Sequence, residues 1–180
     1  MPGIRLGDVE LTRDQVLDSL DGLDEGEIKR VLGLLKHAAL EEKRQKCRDD
    51  FMEFVRAMWP AFIEGEHHRL SARAFKDVVD GDLKRLIICE PPRHTKSEFA
   101  SYLLPCWFLG KYPNKKVIQA SHTAELAVGF GRKVRNLVGS AEYQEIFPDV
   151  GLRADSKAAG RWNTSHGGEY FAIGVGGAVT

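Results

Sequence analysis

The stretch LKRLIICEPPRHTKSEFASYLLP, Leu83 to Pro105, constrains the fold of this chain more than any other. Leu83 to Cys89 reads as an apolar run of the length of a buried parallel strand. Pro91 and Pro92 end it, because neither has an N–H to give to a ladder. From Ser97 to Leu109 the apolar spacing turns helical, with Pro105 as a kink or restart. Strand, short polar loop and helix in that order place the loop at a helix N-terminus, where backbone N–H groups favour anions.

The loop invites comparison with the phosphate-binding pattern G-x-x-x-x-G-K-[ST]. In that pattern the backbone wraps the phosphates, the lysine reaches the outer ones and the hydroxyl ligates magnesium. Aligned on Lys96 and Ser97, the first glycine is Glu90 and the second is Thr95. Any cradle must therefore use the amides of Arg93 to Ser97. Prolines with fixed φ can preset such a loop, since they lose less freedom on folding, and Arg93 and His94 add donors beside the lysine. From the residues alone two readings stand: a phosphate loop without glycine, or an ordinary strand, turn and helix with an adjacent Lys-Ser pair.

The flanking sequence supports an α/β layout. Thr12 with Gln15 and Asp24 with Glu27 have capping-box spacing. Val16, Leu17 and Leu20 follow the first, and Ile28, Val31, Leu32, Leu35 and Ala39 the second, up to the charged stretch Glu41 to Asp50. Phe51, Phe54, Val55 and Met58 continue an apolar stripe that Pro60 stops. After it the rhythm alternates. Leu70 to Val79 suits a helix, Lys116 to Ser121 a second strand, and Leu126, Phe130, Val134 and Leu137 one face of a second helix. RWNTSHGGEYFAIGVGG, Arg161 to Gly177, reads as a hairpin turning at Ser165 to Gly168. Alternating strand and helix means a parallel sheet.

The chain has 180 residues, 43% of them hydrophobic and 29% charged, enough for one real core. Cys47, Cys89 and Cys106 are odd in number and lack metal-ligand spacing, so they read as reduced thiols. No apolar stretch approaches the roughly 20 residues that cross a bilayer. The net charge is zero but uneven: Asp8 to Glu27 carries eight acids against Arg13, and Lys111 to Arg135 six bases against Glu125. The basic segment suits a polyanion or a solvated face.

PPRHTKSE preceded by LIIC, followed in order by LLPCWFLGKYP, VIQASHTAELAVGFGRKVRNLV, YQEIFPDV and RWNTSHGGEYFAIGVGG, resembles the large terminase subunit of tailed bacteriophages. The likeness covers Phe51 to Thr180. In that family the Pro-Pro-Arg form of the loop is usual, whereas Thr95, where many relatives carry glycine or serine, departs from it and leaves the loop conformation open. The resemblance implies a P-loop NTPase-type parallel sheet flanked by helices, incomplete in this chain. Residues 1–59 would be an N-terminal helical extension and 60–180 the N-terminal part of the ATPase domain.

The activity so implied is ATP-driven packaging of viral double-stranded DNA into a procapsid in the host cytoplasm. A homo-oligomeric ring would do this with the portal protein and the small terminase subunit, and without a membrane. Carried over residue by residue, Lys96 would bind the β and γ phosphates, and Ser97 would hold magnesium. Arg93 would contact the γ phosphate or sense its loss, so that Arg93 and Lys96 are the catalytic candidates. Pro92, Arg93, His94, Thr95, Lys96 and Ser97 together would line the ATP site. ASHTAELA resembles a segment that responds to nucleotide or touches DNA, although helix capping is the better reading of Ser121 and Thr123.

Phosphoryl transfer to water also needs an acidic residue at the end of a neighbouring strand and a carboxylate to orient the water. No apolar strand here ends in an acidic pair, and Glu90 follows the strand that feeds the loop itself. The resemblance implies that the acidic strand, an arginine finger and a nuclease domain follow Thr180. The chain would then bind ATP and magnesium with negligible turnover. Other features have plainer readings. His67 and His68 suit exposure or capping better than metal coordination. Trp59, Trp107 and Trp162 suit a core, and Gly174, Gly176 and Gly177 a tight backbone approach or a mobile loop. Two other functions fit parts of the pattern: a helicase-type translocase, and a non-enzymatic interaction module using the N-terminal helices.

Overall fold

The computed structural model describes residues 4–6, 9–11, 24–155 and 158–176. It divides into two compact units, Met1–Gln45 and Lys46–Thr180. In the first, β1 (Ile4–Leu6) pairs antiparallel with β2 (Val9–Leu11), Ile4 opposite Leu11. Helix α1 (Glu25–Asp49) begins at a reciprocal capping box. The Glu27 N–H donates to Asp24 Oδ1 at 2.8 Å, and the Asp24 N–H to Glu27 Oε2 at 3.0 Å. Two orphan donors are thereby satisfied by side chains only three residues apart. The Thr12–Gln15 box and the Val16, Leu17 and Leu20 face lie outside the described residues.

The second unit is mixed α/β with a small core. Asp50 caps α2 (Phe51–Met58), its carboxylate accepting from the Glu53 N–H at 3.0 Å. Phe51, Met52, Phe54 and Val55 of this helix are buried. Phe51 sits edge-on to Phe75 and Phe99 and against Trp107, with ring centroids 5.5 Å apart in each case. Such edge-to-face contacts add to area burial and fix α2 in the core. Helix α3 (Glu66–Asp80) ends at Gly81, whose φ of 91° is the left-handed stop that glycine takes without a Cβ penalty.

Helical residues run from Lys96 to Lys111 without a break. Their middle is a π turn, Glu98–Leu103, closed by the Leu104 N–H donating to Phe99 O, five residues back. Helix α4 (Leu104–Lys111) continues from it with Pro105 in its first turn, so the residue that lacks an N–H falls where the π turn already interrupts the regular ladder. Trp107 is fully buried, and its indole N–H donates to Cys47 O at 2.9 Å.

β3 (Lys116–Ser121) and β5 (Glu169–Gly174) are parallel, Lys116 opposite Glu169 and Ser121 opposite Gly174. β4 (Arg161–Asn163) pairs antiparallel on the far side of β5, closing the expected hairpin through the Thr164 N–H to Gly168 O bond at 3.0 Å. Between β3 and β4 lie α5 (Ala124–Val138) and α6 (Ala141–Ile146). The buried stripe of α5 is Ala127, Gly131, Val134 and Val138. This sits one position around from the apolar face read in the sequence, and Leu126 is half exposed at 51%. Gly131 shows why: a Cβ there would come within 2.5 Å of Ala159 O and 3.0 Å of the Tyr170 ring. The helix approaches β5 through its smallest side chains.

The expected strand over 83–89 does not form. Among the described residues 84–89 make no backbone hydrogen bond to a neighbouring strand, and the sheet order is β3-β5-β4. The segment is irregular, with Leu86 and Ile88 packed on the core while Ile87 is 89% exposed and Cys89 is exposed. A strand requires a paired partner as well as apolar side chains, and this segment does not pair with the edge that β3 leaves open. The fold is thus mixed α/β with a three-stranded mixed sheet rather than one built on the loop's own strand. Cys47 and Cys106 are buried, and all three cysteines are free. No described helix is long and apolar enough to cross a membrane.

Candidate functional site

The loop 91–97 has an unusual backbone. Arg93 and Thr95 have φ of 65° and 60°, while His94 and Lys96 between and after them do not have positive φ. They are also the only non-glycine residues with positive φ among those described. For a β-branched residue such as Thr95 this costs about 1–2 kcal/mol, so the surroundings must impose it. Alternating the sign of φ turns successive N–H groups to one side of the chain, the arrangement that makes an anion-binding nest. The N–H groups of Arg93 and Thr95 have no acceptor among the described residues. Thr95 is thus left-handed at the position of the second missing glycine, Arg93 is left-handed at a position where the pattern has none, and Glu90, at the first glycine position, does not have positive φ.

The side chains close around this turn. Lys96 is half-buried, and its Nζ donates to Glu90 O at 2.9 Å, across the mouth of the loop. Ser97, in the first helical turn, is exposed, as are Pro92, Arg93 and His94. The His94 ring is anchored by Nδ1–H to Pro92 O at 3.0 Å. The Thr95 hydroxyl donates to His94 O at 2.7 Å, and Thr95 O accepts the first helical bond from Phe99 N–H at 2.9 Å. Of the residues assigned to the site in the sequence, Pro92 to Thr95 form the turn, and Lys96 and Ser97 open the helix that follows it.

Helix α3 supplies what sequence reading missed. Ser71 Oγ donates to Glu90 Oε1 at 2.7 Å, and His68 Nε2 lies 2.5 Å from Thr95 Oγ1. Three residues apart, His68 and Ser71 share one helix face and grip the loop at its start and its middle. His68 is 6% exposed, not solvated. Its Nδ1 accepts the Gly65 N–H at 2.8 Å, which satisfies the capping role. Burial, then neighbouring His67, push its pKa down. The only available signal was a histidine three residues after a glycine at a helix start.

Two carboxylates elsewhere, Glu169 and Asp155, are engaged by basic side chains. Glu169 takes Arg161 Nε at 2.6 Å and Lys116 Nζ at 3.6 Å, and Asp155 takes Arg153 at 2.6 Å. Glu169 also lies at the N-terminal end of the parallel pair, whereas ligands of open α/β sheets sit beyond the C-terminal ends, here Ser121 and Gly174. A Cβ on Gly174 would run into the Thr123–Ala124 backbone, so the close approach expected there is real. Gly176 has φ of 90°, and Gly177 lies outside the described residues. Thr123 caps α5 by accepting the Leu126 N–H at 3.2 Å, while Ser121 ends β3.

Within the Lys111 to Arg135 run, Lys111 pairs with Asp80, Lys116 with Glu169 and Lys133 with Glu98. Trp107 and Trp162 are core, and Trp59 is half-buried against Phe62. A cleft of about 420 Å³ lined by Arg48, Asp49, Lys111, Phe147, Asp149 and His166 does not include the loop. No group of three or more His, Cys, Asp or Glu able to hold a metal occurs among the described residues. Comparison with protein-family models, curated proteins and solved structures finds no match.

Proposed function

We propose that this chain carries the phosphate-binding part of an ATPase, and that the ATPase is that of a terminase large subunit packaging double-stranded viral DNA. The observation that carries the first step is the 91–97 turn. Its alternating φ signs, its unaccepted N–H groups and Lys96 on Glu90 O together form a pre-shaped anion receptor at a helix start. A triphosphate oxygen would replace Glu90 O as the acceptor for Lys96 Nζ. Ser97 Oγ, exposed one residue on, is the group that would hold magnesium, whose role is to neutralise charge on the β and γ phosphates. Arg93 would reach the γ phosphate from the loop.

The terminase step rests on the ordered motif likeness described above, and DNA, portal and small-subunit partners, ring assembly and host cytoplasm come with it. Catalysis by such a site is electrostatic stabilisation of phosphoryl transfer to water. The test is titration of a fluorescent ATP analogue with magnesium. Lys96→Ala should weaken binding tenfold or more, the worth of a charged hydrogen bond of about 1.5–3 kcal/mol. Equal affinity of the two proteins would end the phosphate-loop reading.

A further inference from the structure

The phosphate loop has no glycine at its two left-handed positions, so something outside it must hold the turn. The His68 ring is the candidate, because its hydrogen bonds leave one protonation pattern. Nδ1 accepts the Gly65 N–H at 2.8 Å and therefore carries no proton. The proton is on Nε2, which donates to Thr95 Oγ1 at 2.5 Å, and that hydroxyl donates onward to His94 O at 2.7 Å. The chain of donors runs one way, from the start of α3 into the centre of the loop.

The ring has no freedom to leave. It lies tilted against His67 with centroids 3.7 Å apart and packs between Phe62 at 4.7 Å and Phe99 at 5.1 Å. Phe99 belongs to the helix that the loop begins, and Ser71 on the same face of α3 ties Glu90. Thr95 thus has its hydroxyl fixed by α3 and its carbonyl fixed by the Phe99 N–H. Both constraints bear on the one residue whose side chain is β-branched and whose φ is +60°.

Resting on the nucleotide-binding reading above, we propose that His68 is a positioning residue for the phosphate site: its Nε2–H holds Thr95 in the left-handed conformation that aims the loop N–H groups at a nucleotide triphosphate. Glycine does this in the usual loop by permissiveness, and here a hydrogen bond does it by constraint. Nucleotide affinity is then set in part from α3, a helix that itself contributes no phosphate contact.

The experiment measures binding of N-methylanthraniloyl-ATP with magnesium to the 180-residue chain and its variants. His68→Phe keeps a ring between Phe62 and Phe99 without the donor, and should weaken binding about five- to tenfold, as expected for one hydrogen bond. His68→Gln, whose amide nitrogen can stand where Nε2 stands, should bind within about twofold of wild type. Thr95→Val should lose as much as His68→Phe, and the double variant no more than either, because both remove the same bond. Imidazole nitrogen NMR of the unliganded chain should show His68 with a bare Nδ1 and a protonated Nε2.

Unchanged affinity in His68→Phe, equal loss in His68→Gln and His68→Phe, additive losses in the double variant, or the opposite tautomer would each overturn the proposal. Lys96→Ala separates the two levels. If binding depends on Lys96 but not on His68, only the role of His68 falls. If binding does not depend on Lys96, the phosphate-loop reading falls and this inference with it.

Discussion

The Lys96 ammonium spans its own loop and donates to the carbonyl oxygen of Glu90 at 2.9 Å, six residues back. The bond closes the turn that Arg93 and Thr95 bend, and ties a cation to its start. An ammonium in water gains little from one carbonyl, and on the nucleotide-binding proposal it would exchange that carbonyl for a phosphate oxygen.

Arg93→Gly should leave the fold as stable as before or slightly more so. The left-handed conformation costs an L-residue about 1–2 kcal/mol, and glycine's extra unfolded-state freedom takes back about 0.5–1 kcal/mol. At roughly 2–4 °C per kcal/mol for a chain of this size, Tm should rise by zero to a few degrees. A clear fall would contradict the φ of 65° at this position.

Gly131→Ala should destabilise despite replacing a helical glycine. The gain in helix propensity is at most about 1 kcal/mol. Against it, the new methyl would stand 2.5 Å from a backbone carbonyl, Ala159 O, and 3.0 Å from the Tyr170 ring, neither of which can swing aside. Overpacking of this kind costs about 1–3 kcal/mol, so thermal melts should show a lower Tm. The same change at Gly129, which has open space around it, should raise Tm.

Acidification should weaken the fold before carboxylates begin to titrate. The His68 pKa is held below its usual 6.5 by burial and by His67, and shifted less by Glu64, Glu90 and His94 around it. A lowered folded-state pKa means that the unfolded chain takes the proton first. The stability contribution is therefore complete above about pH 6.5 and is lost as pH falls from there through the folded value. Urea midpoints measured between pH 7.5 and 5.5 should fall in wild type and stay nearly level in His68→Gln. Parallel declines would remove His68 as the source.

Ile87→Lys should reduce self-association. Among the described residues 84–89 pair with no strand, and Ile87 adds an apolar side chain that is 89% exposed. Such edges template pairing between chains, and a charge on them blocks it. Sedimentation velocity over a range of concentrations should show larger species for wild type than for the variant. Identical distributions would mean that the segment is not the adhesive surface.

Legibility in the sequence followed the range of the interaction. The Asp24–Glu27 box, the Thr123 cap, the β3 bounds and the helix irregularity at Pro105 are set within a few residues, and spacing alone revealed them. The 83–89 run was misread because burial on two faces depends on neighbours that the segment does not announce. The apolar face of α5 was misplaced by one position because the helix packs by small residues, and hydrophobicity marks its large ones. For the site, Lys96 and Ser97 were legible as a pair. The left-handed Arg93 and Thr95 were not, since neither residue type favours that conformation, and the His68–Thr95 bond joins residues 27 apart with no local pattern.

The burial of two thiols and the exposure of the third give the protein a built-in optical handle. Cys47 and Cys106 are shut in the core, and burial pushes the Cys106 thiol well up, which removes the reactive thiolate. Cys89 is exposed immediately before Glu90, whose carbonyl Lys96 engages. A maleimide dye added to native protein should therefore attach at that one position. Its emission would sense any ligand that draws Lys96 from Glu90, and the later appearance of the two hidden thiols would time global opening of the core.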